Sequence, residues 1–229
     1  MKVMDEKDVR SLSPTLLDLK ASRHAATVTS FFETTIEPVC RDIASRLAQV
    51  ESHSGQGDAW HELRLTQMVS HQSFAMMLAS LWERAFAEHL SDLIRTTLSS
   101  TEDRKEHDGF QRQIKTGGWR SFEQAFVRVH GFEMALIPMF EELKILHLLC
   151  SVLRHGEGDS AKILRKKADW LFMKEAELRD IWDYFLESVE EFSVGKLDIR
   201  LEHLARFRDV VVAYWDMIDS GRFAPSSEA

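Results

Sequence analysis

Apolar side chains recur at helical spacing along most of the chain. Ser13-Pro14 is typical of a helix start, and from there the apolar positions continue every three or four residues to Leu47. Pro38 lies inside this pattern and lacks the amide hydrogen that a helix needs. We therefore predict a long helix that kinks or splits near Glu37.

The clearest helical pattern covers residues 59–98, where neither Gly nor Pro interrupts it. A helix of this length spans about 60 Å at a rise of about 1.5 Å per residue. The polar segment 52–58 separates it from the first helix, and two long helices in succession predict an antiparallel pair. The large apolar residues of this helix, Met77 among them, also suit a contact with a second subunit, so we predict a homodimer.

The most apolar segment is 141–156, EELKILHLLCSVLRHG, which predicts a buried central helix that ends at Gly156. One stripe of this helix is nevertheless polar, within an arc of roughly 140° at about 100° per residue. Its members are Glu141, Lys144, His147, Ser151, Arg154 and His155. Buried polar groups need partners, so the stripe faces solvent, forms a hydrogen-bonded seam between helices, or lines a functional site.

Three shorter helices follow from the same pattern: 119–129, one from Asp159 or Ser160 to Lys167, and 201–217. Together with the long helices they predict an all-α helical bundle, formed by a single domain of residues 1–229.

Three segments do not fit the helical pattern. Residues 99–118 are charged and polar and end in Gly-Gly, which predicts a mobile loop. Segment 185–199 allows a short hairpin around Gly195 as well as a helix. We expect the tail, 220–229, to be frayed.

Composition restricts the functional classes. The net charge of −8 argues against general electrostatic binding of nucleic acid, although it is compatible with a local basic cleft. Cys40 and Cys150 lie far apart in apolar surroundings, which is typical of reduced core residues in a cytoplasmic protein. The N-terminus has no apolar core of a secretory signal, and the chain has no run of 18 apolar residues, so we predict no membrane association.

The common enzyme signatures are missing: the chain has no Gly-rich phosphate loop, no G-x-S-x-G and no HExxH. It also lacks the repeated Glu-x-x-His pairs of helical di-metal sites, so we predict neither a metal nor a cofactor. We expect five other histidines at the surface or the edge of the core: His61, His71, His89, His107 and His130.

The run LLCSVLRHGEGDSAKILRKKADWLF, residues 148–172, resembles the segment around the conserved histidine of HEPN-type proteins (higher eukaryotes and prokaryotes nucleotide-binding). It is most similar to an uncharacterised bacterial branch in which a short basic residue–His–Gly element ends a core helix. The resemblance implies an all-helical, usually dimeric protein. Many members are metal-independent ribonucleases of toxin–antitoxin or phage-defence systems, with a motif of Arg, a polar residue, several further residues and His.

The chain matches this motif only in part. His155 corresponds to the motif histidine, with Arg154 as its basic neighbour and Ser151 at a polar position, but residues 148–150, where the motif arginine should stand, are Leu, Leu and Cys. Two other pairs match the bare Arg–His spacing without the polar second residue, and we interpret them as coincidences. They are Arg64 with His71 and Arg84 with His89.

Three functional hypotheses follow. The first is a catalytically silent HEPN-like scaffold of a toxin–antitoxin or defence system that binds RNA, a nucleotide or an antitoxin-like protein, with Lys144, His147 and Ser151 as binding residues. The second is a ribonuclease in which His155 is the base, Arg154 and Lys144 hold the phosphate, and the ribose 2′-OH attacks. The third is a helical protein–protein interaction module unrelated to HEPN proteins.

Overall fold

The computed structural model describes residues 14–54, 57–97, 108–110, 112, 114, 118–156, 158–173 and 196–220. Of these residues 89% are helical, in seven α-helices and short 3-10 and π segments, and none lies in a strand. The all-α bundle expected from the hydrophobic pattern is therefore confirmed. None of the helices in these ranges is long and apolar enough to cross a membrane.

The first helical rod breaks near Pro38, as the sequence predicts. Helix α1 (Pro14–Phe31) continues through a π-helical turn, Phe32–Ile36, into α2 (Glu37–Ser54). The amide of Glu37 donates to the carbonyl of Phe32, one residue farther back than in an α-helix. Because Pro38 has no amide hydrogen, a wider turn just before it is an expected response.

The long helix α3 (Asp58–Thr97) has 40 residues and agrees with its predicted bounds within one residue at each end. Helix α4 (Trp119–His130) stops at Gly131, whose φ of 77° lies in the left-handed region. A 3-10 turn, Met134–Leu136, then leads into α5 (Phe140–His155), the central helix of the sequence analysis.

Gly156 ends α5, with φ at 74° and its amide donating to the carbonyl of Val152 at 2.8 Å. This left-handed stop was predicted, since glycine adopts it without the penalty that other residues incur. The short α6 (Asp159–Lys167) and a 3-10 turn, Asp169–Leu171, follow. The final helix, α7, is Leu201–Asp219.

Residues just before α7 pair with those after α6. Phe172 and Leu197 form an isolated antiparallel bridge. The amide of Met173 donates to Lys196 O, and that of Asp198 to Leu171 O, each at 2.8 Å. The described end of the hairpin segment 185–199 thus pairs with a sequence-distant stretch, while residues 174–195 lie outside the described part.

Two further expectations fall partly on positions that the structure does not describe. Within 99–118, Asp108–Phe110, Arg112 and Ile114 are helical, and Ile114 is buried, whereas we expected a loop there. Residues 98–107 and 221–229 lie outside the described part, so the mobility of the loop and the fraying of the tail stay predictions.

The described residues group into two compact units, each assembled from separated stretches of the chain, and the single domain stays a prediction. The first unit takes the described residues up to 27, those within Trp82–Glu141 and those from 211 onwards; the second takes the described residues within Val28–Leu81 and Glu142–Val210. Helix α1 leads from the first unit into the second, and α3 leads from the second back into the first.

The core of the first unit is aromatic. Trp82 stacks on Phe86 with ring centroids 5.1 Å apart, and Tyr214 meets Phe86 edge-on at 5.5 Å. Such edge-to-face and offset contacts add to the stabilisation from burial of the rings. The core of the second unit is mainly aliphatic, and these members are fully shielded from solvent: Ile36, Leu78, Leu143, Leu146, Leu149, Leu164, Leu171 and Leu204.

Candidate functional site

The five predicted site residues lie together on the outer side of α5 in the second unit. Lys144, His147 and Ser151 are half-buried, and Arg154 and His155 are exposed. The opposite side of the helix is buried through Leu143, Ile145, Leu146, Leu149, Cys150 and Val152. The central helix is therefore buried on its apolar side only, and the polar stripe borders solvent.

Two serines from other helices contact the stripe. The guanidinium of Arg154 donates from Nη2 to Ser80 Oγ on α3 at 2.9 Å. Ser151 Oγ donates to Ser160 Oγ in the first turn of α6 at 3.3 Å. The fold thus brings the end of α5 next to hydroxyl groups that are 74 and nine residues away in the sequence. Glu141, the remaining member of the stripe, is exposed and belongs to the first unit.

Helix α6 adds basic side chains directly after the stripe in the chain. Lys162, Lys166 and Lys167 are exposed, and the Arg165 guanidinium lies over the ring of Phe172 at 4.6 Å. Two of these basic residues lie beside an acidic one: Arg165 pairs with Asp169 at 2.9 Å, and Lys162 approaches Asp159 at 3.8 Å. The C-terminal turn of α6 is therefore rich in basic residues, although the chain as a whole is acidic.

A buried ionic cluster, which the sequence patterns did not predict, surrounds Asp198, and this residue is 2% exposed. Its carboxylate accepts from Arg64 Nη2 at 2.8 Å and from Arg200 Nε at 2.5 Å. Burial alone would raise the pKa of Asp198, but the hydrogen bonds and charges of Arg200 and Arg64 outweigh burial and hold it below its ordinary value. No pattern in the sequence identifies this aspartate, because Arg64 lies 134 residues away and meets it only in the folded chain.

His71 belongs to the same cluster. Its Nδ1 lies 2.6 Å from the carbonyl oxygen of Ile199, and since a carbonyl only accepts, Nδ1 carries the hydrogen. Burial lowers the pKa of His71, and the positive charge of Arg64 lowers it further. Arg64 and His71, a pair that we interpreted as a chance match to the Arg–His spacing, thus both bind the segment 196–200 to α3.

The start of α7 is held by a second set of contacts. The backbone amide of Arg200 donates to His203 Nδ1 at 3.2 Å, which is a side-chain cap of the helix N-terminus. The His203 ring packs edge-on against Trp170 at 4.8 Å, and burial lowers the pKa of His203. Arg206 lies 4.7 Å from the Trp170 ring centroid and pairs with Glu142 at 2.9 Å.

The expectation that the other histidines lie at the surface or the core edge is wrong for three of them. His61, His71 and His89 are 8%, 3% and 7% exposed, and His107 lies outside the described residues. In the first unit, His89 stacks with the half-buried His130 at 6.1 Å between ring centroids, and burial lowers the pKa of His130 to about 4. Aromatic rings pack against His89 and His130 and shield them from solvent. The helical periodicity of the sequence does not reveal such contacts.

The first unit also carries an open surface cavity of about 410 Å³, lined by Glu123, Gln124, Val127, Glu133, Met134 and Ala135. None of the predicted site residues lines it. Comparison of the chain with protein families, with curated proteins and with solved structures finds no match. The residues of the stripe and their surroundings are therefore the candidate functional site.

Proposed function

We propose that the chain is a helical scaffold that binds RNA or a nucleotide through the polar stripe of α5. The observation that supports this proposal is the arrangement of Arg154, whose guanidinium is oriented by the hydroxyl of Ser80. A guanidinium carries five donors, and its planar fork matches the oxygens of a phosphate.

The neighbouring charges support the same ligand class. Lys144 lies on the same face of α5, and the basic end of α6 follows the stripe in the chain. Because the whole chain carries a net charge of −8, attraction of a polyanion has to come from such a local cluster. His147 and Ser151 supply additional hydrogen-bonding groups on the same face, suited to sugar hydroxyls or base edges.

The positions at which the HEPN motif would have its arginine support binding rather than catalysis. Leu149 and Cys150 are buried in the core of the second unit, and Leu148 is half-buried. No charged group at these positions complements His155, whose own side chain is exposed. The alternative is a ribonuclease with His155 as the base, and an RNA cleavage assay distinguishes it from the scaffold.

The cellular setting that we propose follows from the resemblance to HEPN-type proteins. It is a bacterial toxin–antitoxin or defence system, in which an antitoxin-like protein is a second partner of the scaffold. Isolation of the native protein together with such a partner would support this setting, whereas a protein partner combined with no affinity for RNA or nucleotides would favour the third hypothesis, an unrelated interaction module.

Binding of a short fluorescent single-stranded RNA, followed by anisotropy at increasing salt, tests the proposal. We expect Arg154→Ala to weaken binding at least about tenfold, because a charge-assisted hydrogen bond contributes roughly 1.5–3 kcal/mol. Arg46→Ala is the matched control, since Arg46 is an exposed arginine on α2 that pairs with Asp42 at 2.9 Å outside the stripe. Equal effects of the two substitutions would overturn the proposal, as would a failure of the unmodified protein to bind both this RNA and a fluorescent ATP analogue.

The same RNA, incubated with the protein in the presence of a metal chelator and analysed by gel, separates binding from cleavage. We expect the RNA to stay intact with the unmodified protein and with His155→Ala. Cleavage by the unmodified protein that is lost in His155→Ala, with an unchanged melting temperature, would replace the scaffold by the ribonuclease.

A further inference from the structure

The surface cavity of the first unit is formed by helix α4 and by the turn that follows it. The lining residues are Glu123, Gln124 and Val127 of α4, and Glu133, Met134 and Ala135 of the turn. Its volume of about 410 Å³ lies within the range of about 300–1,000 Å³ that is typical of ligand pockets. Since no residue of the α5 stripe lines the cavity, its function is separate from that of the stripe.

Contacts within the first unit hold the backbone around the cavity in place. Gly131 ends α4 in the left-handed conformation. The amide of Leu136 donates to the carbonyl of Glu133 at 3.0 Å, and Phe132 packs edge-on against Phe126 at 5.3 Å between ring centroids. The cavity is therefore formed before a ligand enters, which lowers the entropic cost of binding.

Apolar side chains form one wall of the cavity and continue beyond it. Met134 is 1% exposed, whereas Val127 and Leu136 are 41% and 61% exposed. Leu136 follows Ala135 directly but does not line the cavity, so a small molecule inside it leaves Leu136 in contact with water. A protein segment that enters the cavity and continues along the surface covers both exposed side chains. Exposed apolar residues beside a concave site are typical of surfaces that bind other proteins.

The two charged residues of the lining are acidic. Glu123 is half-buried, and its Oε1 accepts a hydrogen bond from Trp119 Nε1 at 2.7 Å. Because Trp119 is itself buried, this bond fixes the direction of the Glu123 carboxylate. Glu133 is exposed and forms no ion pair with any residue in the described part of the chain. Ionised carboxylates only accept hydrogen bonds, so the cavity suits a cationic donor.

The two arginines of α4 lie outside the lining. Arg128 Cζ is 5.3 Å from the centroid of the Phe110 ring, and Arg120 is exposed in the first turn of the helix. Among the described residues, those that line the cavity thus carry two negative charges and no positive one, on a chain whose net charge is −8. A cationic partner is attracted to this surface, and an anionic partner is repelled.

We propose that this cavity binds a partner protein through an arginine side chain that has an apolar residue next to it. The planar guanidinium matches the carboxylate oxygens of Glu123 and Glu133, and the apolar stem of the arginine lies against Met134. The apolar neighbour covers Val127 and Leu136. Arginine is also among the residues that contribute most to binding at the centre of protein interfaces. The proposal does not depend on RNA binding, because the lining residues belong to the first unit and the five predicted site residues to the second.

A capped dipeptide of leucine and arginine is the probe, and NMR of the protein with labelled methyl groups follows its binding. We expect the methyl signals of Val127, Met134 and Ala135 to shift progressively as the dipeptide is added. The matched probe contains citrulline in place of arginine, which has nearly the same shape and no charge. Its affinity should be at least about tenfold lower, because it lacks the charge-assisted hydrogen bonds to the carboxylates.

Two glutamate variants test the charge of the cavity. Glu133→Gln keeps the size of an exposed side chain, and we expect it to weaken binding of the arginine dipeptide about threefold, as is typical when an exposed ion pair is lost. Binding of the citrulline dipeptide should stay unchanged. Glu88→Gln is the control, because Glu88 is an exposed glutamate of the same unit that does not line the cavity. Unchanged methyl signals far from the cavity verify that each variant is folded.

Unchanged signals of Val127, Met134 and Ala135 at roughly 10 mM arginine dipeptide would refute the proposal. Equal affinities of the two dipeptides, or equal effects of Glu133→Gln and Glu88→Gln, would do so as well. Methylguanidine that binds as tightly as the arginine dipeptide would identify a site for small cations instead. Light scattering examines a further occupant: a dimer of the unmodified protein that the arginine dipeptide converts into monomers would show that a second copy of the chain fills the cavity.

Discussion

Asp198 shows how a single buried charge connects three parts of the second unit. Its carboxylate binds Arg64 of α3 and Arg200 just before α7, while the adjacent backbone pairs with Leu171. The low exposure of the carboxylate makes these bonds strong and makes their loss costly, because an arginine left without its partner keeps its desolvation penalty. We infer that Asp198 holds the segment 196–200 in place.

We expect Asp198→Asn to lower the free energy of unfolding by about 3 kcal/mol, as is typical when one partner of a buried ion pair loses its charge. Urea titration at neutral pH measures this loss. Asp42→Asn is the control: Asp42 pairs with Arg46 on the exposed surface of α2 and should cost less than about 1 kcal/mol. An equal loss in both variants would contradict the structural role of Asp198.

His130 predicts a dependence of stability on pH. Burial lowers its pKa from 6.5 to about 4, so between these values the unfolded chain binds a proton that the folded chain does not. The contribution of neutral His130 to the free energy of unfolding is therefore complete above pH 6.5. As the pH falls towards about 4 this contribution is lost, by up to roughly 3 kcal/mol.

Urea titrations at several pH values between 4 and 7 should show a smaller pH dependence for His130→Gln than for the unmodified protein. An unaltered dependence in His130→Gln would show that other groups cause it.

At the scale of the elements, glycines determine where helices stop. Gly131 ends α4 with φ at 77°, and a Cβ added there meets nothing within 4 Å, so a substitution tests the backbone conformation alone. We expect Gly131→Ala to lower the free energy of unfolding by about 1 kcal/mol, because L-residues are strained in the left-handed region. Gly118→Ala, at φ of −85° and also in open space, should cause no loss.

Differential scanning calorimetry of the two variants gives the comparison. Equal melting temperatures would mean that Gly131 is not required for the stop of α4.

At the scale of the whole molecule, 89% of the described residues are helical. Far-ultraviolet circular dichroism should therefore report a helix content well above the globular average of about one third. The measurement covers the complete chain, including residues that the structure does not describe. A spectrum dominated by strands would contradict the fold.

Local physical chemistry explains which features the sequence determined. The bounds of α3, the break near Pro38 and the stops at Gly131 and Gly156 depend on residues within one or two helical turns of each feature. Proline without an amide hydrogen and glycine with a free φ act in the same way in any fold. The five residues of the stripe on α5 were also foreseeable as a group, because helical geometry alone places them on one face.

Contacts between distant segments decided the remainder. The sequence placed Met77 on an apolar face of α3, yet it is 45% exposed, because the periodicity of a helix does not state which of its faces the neighbours cover. Ser80 and Ser160 joined the stripe, and Asp198 met Arg64, only when helices far apart in the chain packed together. The sequence by itself determined the helices and their ends; tertiary packing decided which polar groups became buried partners and which face of α3 remained open, since these depend on side chains that no local pattern brings together.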